Sequence, residues 1–352
     1  MSETAAQFPG EMSEDGAFVR QEDAFRDWVR AAPGATFPAA AGRYHLYVSL
    51  ACPWAHRTII VRLLRGLEGA IGMTAVDPIR DERGWAFREG RGHSADPLNG
   101  FSFLSEAYML RDPAYRGRVT VPVLWDTRTR RIVSNNDDDI MRMLETEFDA
   151  YATRALDLYP VPLRAEIDAL NERIFTRVND GVYRAGFATS QAAYEAPARA
   201  LFEELDALDA RLATRRYLFG EAPLETDWRL FVTLVRFDAV YVGHFKCNLR
   251  RVADYPNLSG YWRDLFQIDG IAGTVDFDHI NVTTTVPTTS TRRASCRSAR
   301  CSTSRRPTAA NALRARASPK NAQVGALSRC AAYCFGSKYQ SGSVAGNLMS
   351  LK

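Results

Sequence analysis

The chain has 352 residues, 24% charged and 46% hydrophobic, with a formal net charge of +4. That length allows two domains with proper cores, and the sequence holds no apolar run near the ~20 residues of a membrane span and no basic-then-apolar leader in its first sixteen residues. The charge is uneven: residues 281–352 carry 12 Lys/Arg and no acid, which leaves 33 basic against 41 acidic side chains before them. The body is therefore an acidic globular protein, which argues against a nucleic-acid partner. Only Cys52 and Cys247 of the six cysteines precede residue 281, too few for a disulfide scaffold and in keeping with a soluble protein of a reducing, cytoplasmic compartment.

Residues 1–40 are small and polar, broken by Pro33, Gly34 and Pro38, with one amphipathic patch at residues 25–29; they read as an arm. Residues 45–50 form a strand, and a helix from Pro53 to about Leu67 sets Ile59, Ile60, Leu63, Leu64 and Leu67 on one face, ending at Gly66 or Gly69. Residues 73–77 supply a second strand and complete a βαβ unit. Residues 80–118 are an irregular insertion carrying Trp85, Phe87, Phe101 and Phe103, too long for a turn. Residues 120–125 are strand-like although Pro122 demands an edge or a special backbone geometry, and residues 131–134 are the hairpin partner. Asn135, Asn136 and Asp137 to Asp139 then open a helix, with amide caps and first-turn acids as helix starts prefer.

Beyond residues 151–162 only helical stripes remain: Leu201, Leu205, Leu208 and Leu212; Trp228, Phe231, Leu234 and Val235; Leu258, Tyr261, Trp262 and Leu265. The expectation is an α/β sheet domain over residues 41–150 followed by an all-helical domain over 151–280. Residues 281–352, rich in Thr, Ser, Arg and Ala without apolar periodicity, are expected to be a disordered, solvated tail. A nucleic-acid-contacting tail on a binding module is the non-enzymatic alternative.

The chemistry concentrates at Cys52-Pro53-Trp54-Ala55-His56, straight after the first strand. Proline suits a first helical position, so Cys52 falls at the helix N-cap. Free N–H groups and the helix dipole there favour thiolate, which predicts a thiol below its ordinary value near 8.5. Ala55 stands where a redox Cys-x-x-Cys pair would have its second cysteine. Cys52 can attack a disulfide or thioether sulfur, but an external thiol must release the mixed disulfide. His244 and Cys247 lack the second pair of ligands that a metal would need.

Five motifs in order carry a family resemblance: Cys52 to Arg57; Gly84-Trp85 with Phe87; Gly117 to Asp126 around Val121-Pro122; Asn179 to Ala188; and Arg236 to Tyr241 leading to His244 to Asn248. From about Arg43 to Ile280 the chain resembles the glutathionyl-hydroquinone reductases, the xi class of the glutathione transferases. The resemblance implies a thioredoxin-like first domain, a helical second domain, a homodimer, and glutathione as co-substrate without a metal. Cys52 would take glutathione from a glutathionyl-hydroquinone as a mixed disulfide. Val121, ahead of a cis Pro122, would pair with the cysteinyl part of glutathione, Asn136 and Asp137 would grip its γ-glutamyl end, Trp85 would line the thiol site, and Tyr183 the aromatic pocket.

Two departures stand out. The family usually has Glu-Ser where this chain has Asn136-Asp137, which leaves open another small thiol such as mycothiol. After Asp276 to Ile280 the family continues into a basic, Tyr-bearing segment that closes the pocket, which residues 281–352 replace. An omega-type thioltransferase or dehydroascorbate reductase is the nearest alternative activity.

Overall fold

Strands β1 (Tyr44–Val48), β2 (Ile71–Ala75), β3 (Val123–Asp126) and β4 (Arg131–Ser134) form one sheet in the order β2-β1-β3-β4. The computed structural model describes residues 10–81 and 83–285. β1 pairs parallel to β2, with α1 (Pro53–Leu64) as the crossover, and antiparallel to β3, which turns back into β4. β1 is buried at every position, as a central strand covered on both faces must be. Helix α1 ends where Gly66 takes φ +63°, a left-handed backbone that glycine adopts without a Cβ penalty.

The insertion is more ordered than its composition suggests. Buried Asp96 accepts from the Tyr47 hydroxyl at 2.9 Å and from the N–H groups of Leu98, Asn99 and Phe101 at 3.1, 3.0 and 3.2 Å, which ties the loop to β1. The insertion also holds a short helix, α2 (Ser105–Arg111), absent from the sequence reading. Its start is marked by the Glu106 carboxylate, which accepts from the N–H groups of Ser102 and Phe103 at 2.8 and 2.9 Å. The arm, too, does more than its polar sequence indicates. Asp27 N–H donates to Val133 O and Asn135 N–H to Phe25 O, both at 3.0 Å, so residues 25–27 run along β4. Val29 and Phe37 from the arm are buried in the core.

After α3 (Asp137–Thr146) the chain is helical: α4 (Arg164–Ile174), α5 (Gly181–Phe187), α6 (Gln191–Arg211), α7 (Glu225–Arg236), α8 (Leu258–Phe266) and α9 (Phe277–Thr285). The predicted apolar stripes are core: Leu201, Leu205, Trp228, Phe231, Leu258 and Leu265 are fully buried. Helix α1 packs against both α3 and α7, so the start of α1 lies where the sheet layer meets the helical half. Several boundaries shift: β2 runs Ile71–Ala75 rather than 73–77, β3 begins at Val123 rather than at 120, and α1 stops at Leu64 rather than about Leu67. Residues 281–285, expected as the first part of the tail, continue helix α9. The remainder of that predicted tail lies outside the described residues. No described helix is long and apolar enough to cross a membrane.

Candidate active site

Cys52 is the N-cap of α1, with Pro53 in the first turn and no side-chain cap. The first turn of α1 also lacks acids, so its orphan N–H groups face the half-buried thiol rather than a carboxylate. The Val121–Pro122 bond is cis, and the Cys52 thiol donates to the Val121 carbonyl, with Sγ 3.6 Å from the oxygen. The ionisation expectation is corrected here. Burial pushes the Cys52 thiol above its ordinary value, and Asp137 adds to that; the N–H groups of Ala55 and Trp54 and the Arg236 guanidinium pull the other way. Desolvation of the charged form outweighs the helix start. Periodicity could not reveal this, because burial of the thiol comes from distant segments.

One cleft gathers Cys52, Trp85, Val121, Asn136 and Asp137, with Arg20, Asp23, Trp54, Arg80 and Arg118 among the other residues of its wall. Trp85 is buried, with the Arg80 guanidinium 4.8 Å from its ring centroid. Val121 lines the cleft, whereas Pro122, across the cis bond, is not among its lining residues. Tyr183 stands apart, in an aromatic group with Trp54, Phe187, Tyr241 and Phe245 at centroid distances of 5.8, 5.9, 6.1 and 5.3 Å. Burial raises the Tyr183 phenol, and the Cys52 charge raises it further. Tyr183 therefore sits within electrostatic reach of the thiol. Arg20 bridges the two groups, 4.6 Å from Trp54 and 5.1 Å from Tyr183, and is held by Asp180 at 2.7 Å.

The start of α3 is built differently. Asn136 caps it, accepting from Asp139 N–H at 2.8 Å, while its amide donates to Asp23 at 2.8 Å. Its side chain is thus engaged on both sides. The three following acids are each paired: Asp137 with Arg57 at 2.7 Å, Asp138 with Arg57 at 3.0 Å and with Arg229, and Asp139 with Arg26 at 2.7 Å. Arg57 also donates to Asn179 Oδ1 at 2.6 Å, and the Asn179 amide donates to Arg229 O and Thr233 Oγ1 at 2.9 and 2.7 Å. Burial raises the Asp137 carboxyl, against the pull of Arg57. Asp23 differs from these acids: its carboxylate takes amide donors, Asn136 and, at 3.4 Å, Asn135.

Sequence reasoning therefore missed Arg20 and Asp23 of the arm, and it quoted Arg57, Arg118, Asn179 and Arg236 within motifs without giving them roles. For the arm no local signal existed. For the motif arginines the sequence marked the positions but not their burial, which obliges the guanidinium groups of Arg57 and Arg236 to find acceptors and comes from the tertiary fold.

Comparison with known proteins identifies the family. The family model for the glutathione S-transferase N-terminal domain matches residues 51–147, and that for the C-terminal domain matches residues 191–263. The chain is 52% identical over 275 residues to glutathionyl-hydroquinone reductase YqjG of Escherichia coli, covering 76% of this chain and 84% of that one. The chain belongs to the xi class of the glutathione transferases. It is also 46% identical over 267 residues to glutathionyl-hydroquinone reductase PcpF of Sphingobium chlorophenolicum, covering 76% and 84% of the two chains. Among solved structures, glutathione-bound YqjG superposes with a TM-score of 0.71 at 50% identity, covering 74% of this chain and 87% of that one. The xi transferase of Phanerochaete chrysosporium superposes with a TM-score of 0.74 at 46% identity, covering 76% and 92%.

Proposed function

We propose that this transferase is a glutathione-dependent reductase that removes glutathione from glutathionyl-hydroquinones through Cys52. The observation that carries the reading is Cys52 at an uncapped helix start, facing a cleft beside a cis proline. In the first step the Cys52 thiolate attacks the thioether sulfur; the S–S bond forms, the carbon–sulfur bond breaks, and the departing ring carbon takes a proton. In the second step the thiolate of another glutathione attacks the mixed disulfide, releases Cys52 and leaves as glutathione disulfide. Among the described residues no neighbouring thiol competes: the other cysteine there, Cys247, is fully buried and donates to Phe245 O at 3.7 Å.

Val121, just before cis Pro122, pairs with the cysteinyl part of glutathione, Trp85 packs on the thiol region, and Tyr183 faces the quinol ring. The γ-glutamyl end lies at the start of α3, where Asp137 and Asp23 meet its ammonium and Asn136 orients Asp23. What supports this reading of the Asn-Asp departure is a carboxylate from the arm, Asp23, which accepts from the Asn136 amide. Glutathione, rather than mycothiol, is favoured by likeness to a glutathione-bound homologue at 50% identity. The enzyme works as a cytoplasmic homodimer, a reading that rests on the family resemblance and on free thiols suited to a reducing compartment.

The test is intact-mass analysis after mixing with glutathionyl-menadiol. A glutathione adduct on the parent protein and none on Cys52→Ala is the expected result; an adduct on both variants, or on neither with no hydroquinone released, overturns the reading. Size-exclusion chromatography with light scattering checks the dimer.

A further inference from the structure

Arg236, in the last turn of α7, is 1% exposed and its guanidinium makes no salt bridge to an acid among the described residues. A buried cation without a counter-ion is costly unless its donors are satisfied, so its hydrogen bonds indicate its task. Nε donates to Ala51 O at 3.0 Å and Nη2 to Leu50 O at 3.1 Å; these are the two residues immediately before Cys52. Nη1 donates to Val232 O at 2.9 Å and to His56 Nδ1 at 3.0 Å. A ring nitrogen facing a guanidinium must accept, which puts the His56 proton on Nε2, where it donates to Thr274 Oγ1 at 2.7 Å. The Thr274 hydroxyl then donates to Ile271 O at 2.7 Å. Each link fixes the direction of the next. Burial and Arg236 both drive His56 well below its ordinary value, so the imidazole is neutral and adds no second charge.

We propose that Arg236, braced through His56 by Thr274, is the positioning residue for Cys52: it fixes the turn that presents the thiol and keeps a positive charge beside it. The helical half of the molecule thereby prepares a nucleophile that belongs to the sheet layer. The proposal rests on Cys52 being the nucleophile of the reaction above.

Other charged groups near the thiol act differently. Asp137, from α3, opposes ionisation of Cys52. Arg80, from the insertion, senses the Cys52 charge and stacks on Trp85. Tyr183, from α5, and Tyr241, from residues 237–241, are phenols that burial holds protonated and that the Cys52 charge raises further. Arg236 is tied to the backbone immediately before the cysteine and also favours the thiolate.

The experiment follows alkylation of the Cys52-containing peptide by iodoacetamide as a function of pH, by mass spectrometry on the full chain, with folding checked by circular dichroism. Reading one peptide keeps the four cysteines of residues 286–352 out of the signal. Arg236→Gln is expected to move the inflection up by about one pH unit, a roughly tenfold lower rate below it. Arg236→Lys, which keeps a charge but not the fork, is expected to bring the inflection back towards the parent's. An inflection unmoved in folded Arg236→Gln, with the rate merely lowered equally at every pH, overturns the proposal, as does a shift in Arg236→Lys as large as in Arg236→Gln. Should the Arg236 variants fail to fold, Thr274→Val decides: without the hydroxyl the His56 tautomer is no longer locked, and the inflection must rise in the same sense by a smaller amount. An unmoved profile in Thr274→Val then overturns the brace. Because no glutathione or quinol is present, these outcomes are independent of the substrate reading.

Discussion

Two helix starts face the same cleft, and they are finished in opposite ways. At α1 the N-cap is Cys52, its side chain caps nothing, and no acid occupies the first turn. At α3 the N-cap is Asn136, its side chain accepts from Asp139 N–H, and Asp137, Asp138 and Asp139 fill the first turn. The second start is satisfied by its own side chains and by three arginines; the first leaves its positive end to a thiol. A helix that completes its own cap gains stability, whereas one that leaves its N–H groups open stabilises an incoming or developing negative charge. In the proposed function the contrast divides the work of the cleft: sulfur chemistry at α1, recognition of the co-substrate's charged end at α3.

Perturbing each start in turn sharpens or breaks this division. Cys52→Ser is expected to lower kcat/KM for a glutathionyl-hydroquinone by on the order of 10³-fold or more, because a serine hydroxyl is neither ionised nor a comparable nucleophile towards sulfur; near-parent turnover would remove α1 from the chemistry. Arg57→Met strips the buried cation that links the two helices and leaves Asp137 and Asn179 without it. The expected cost is about 3–5 kcal/mol in urea-unfolding free energy, and a loss below about 1 kcal/mol would show that the helices are joined by packing instead.

Asp23→Asn tests the arm's carboxylate. It is expected to raise the KM for glutathione about tenfold, ~1.4 kcal/mol, with kcat little changed, since the contact is made equally in ground and transition states. An unchanged KM would place the ammonium elsewhere. The smallest effect is expected from Asn136→Ala, which removes the α3 cap and costs about 1 kcal/mol in the same unfolding measurement. If it instead costs nothing while KM rises, Asn136 serves binding rather than the helix.

The fold was largely legible because its signals are local. The β1-Cys52-Pro53 junction, the turn to β4 and the Asn136 cap each lie within a few residues of sequence, and the structure has each of them. The helical stripes of α6, α7 and α8 were equally plain, because a period near 3.6 shows wherever one face is buried. Helix α2 escaped, being short and bounded by Gly, Ser and Asp. The arm escaped for a related reason. Val29 and Phe37 are isolated apolar residues in a polar stretch, and nothing nearby indicates that they enter the core or that Arg20 and Asp23 reach the cleft.

What the amino-acid order alone determined is the candidate nucleophile, the helix that begins beside it, Ala55 where a resolving cysteine would stand, and the family. The tertiary structure decided how that nucleophile is tuned. Desolvation of Cys52, the charge of Arg236 from 184 residues downstream, and the carboxylate of Asp137 all depend on which distant segments pack together. Coulomb interaction and burial act through space, at distances of a few ångströms, so no local reading of the chain could have weighed them.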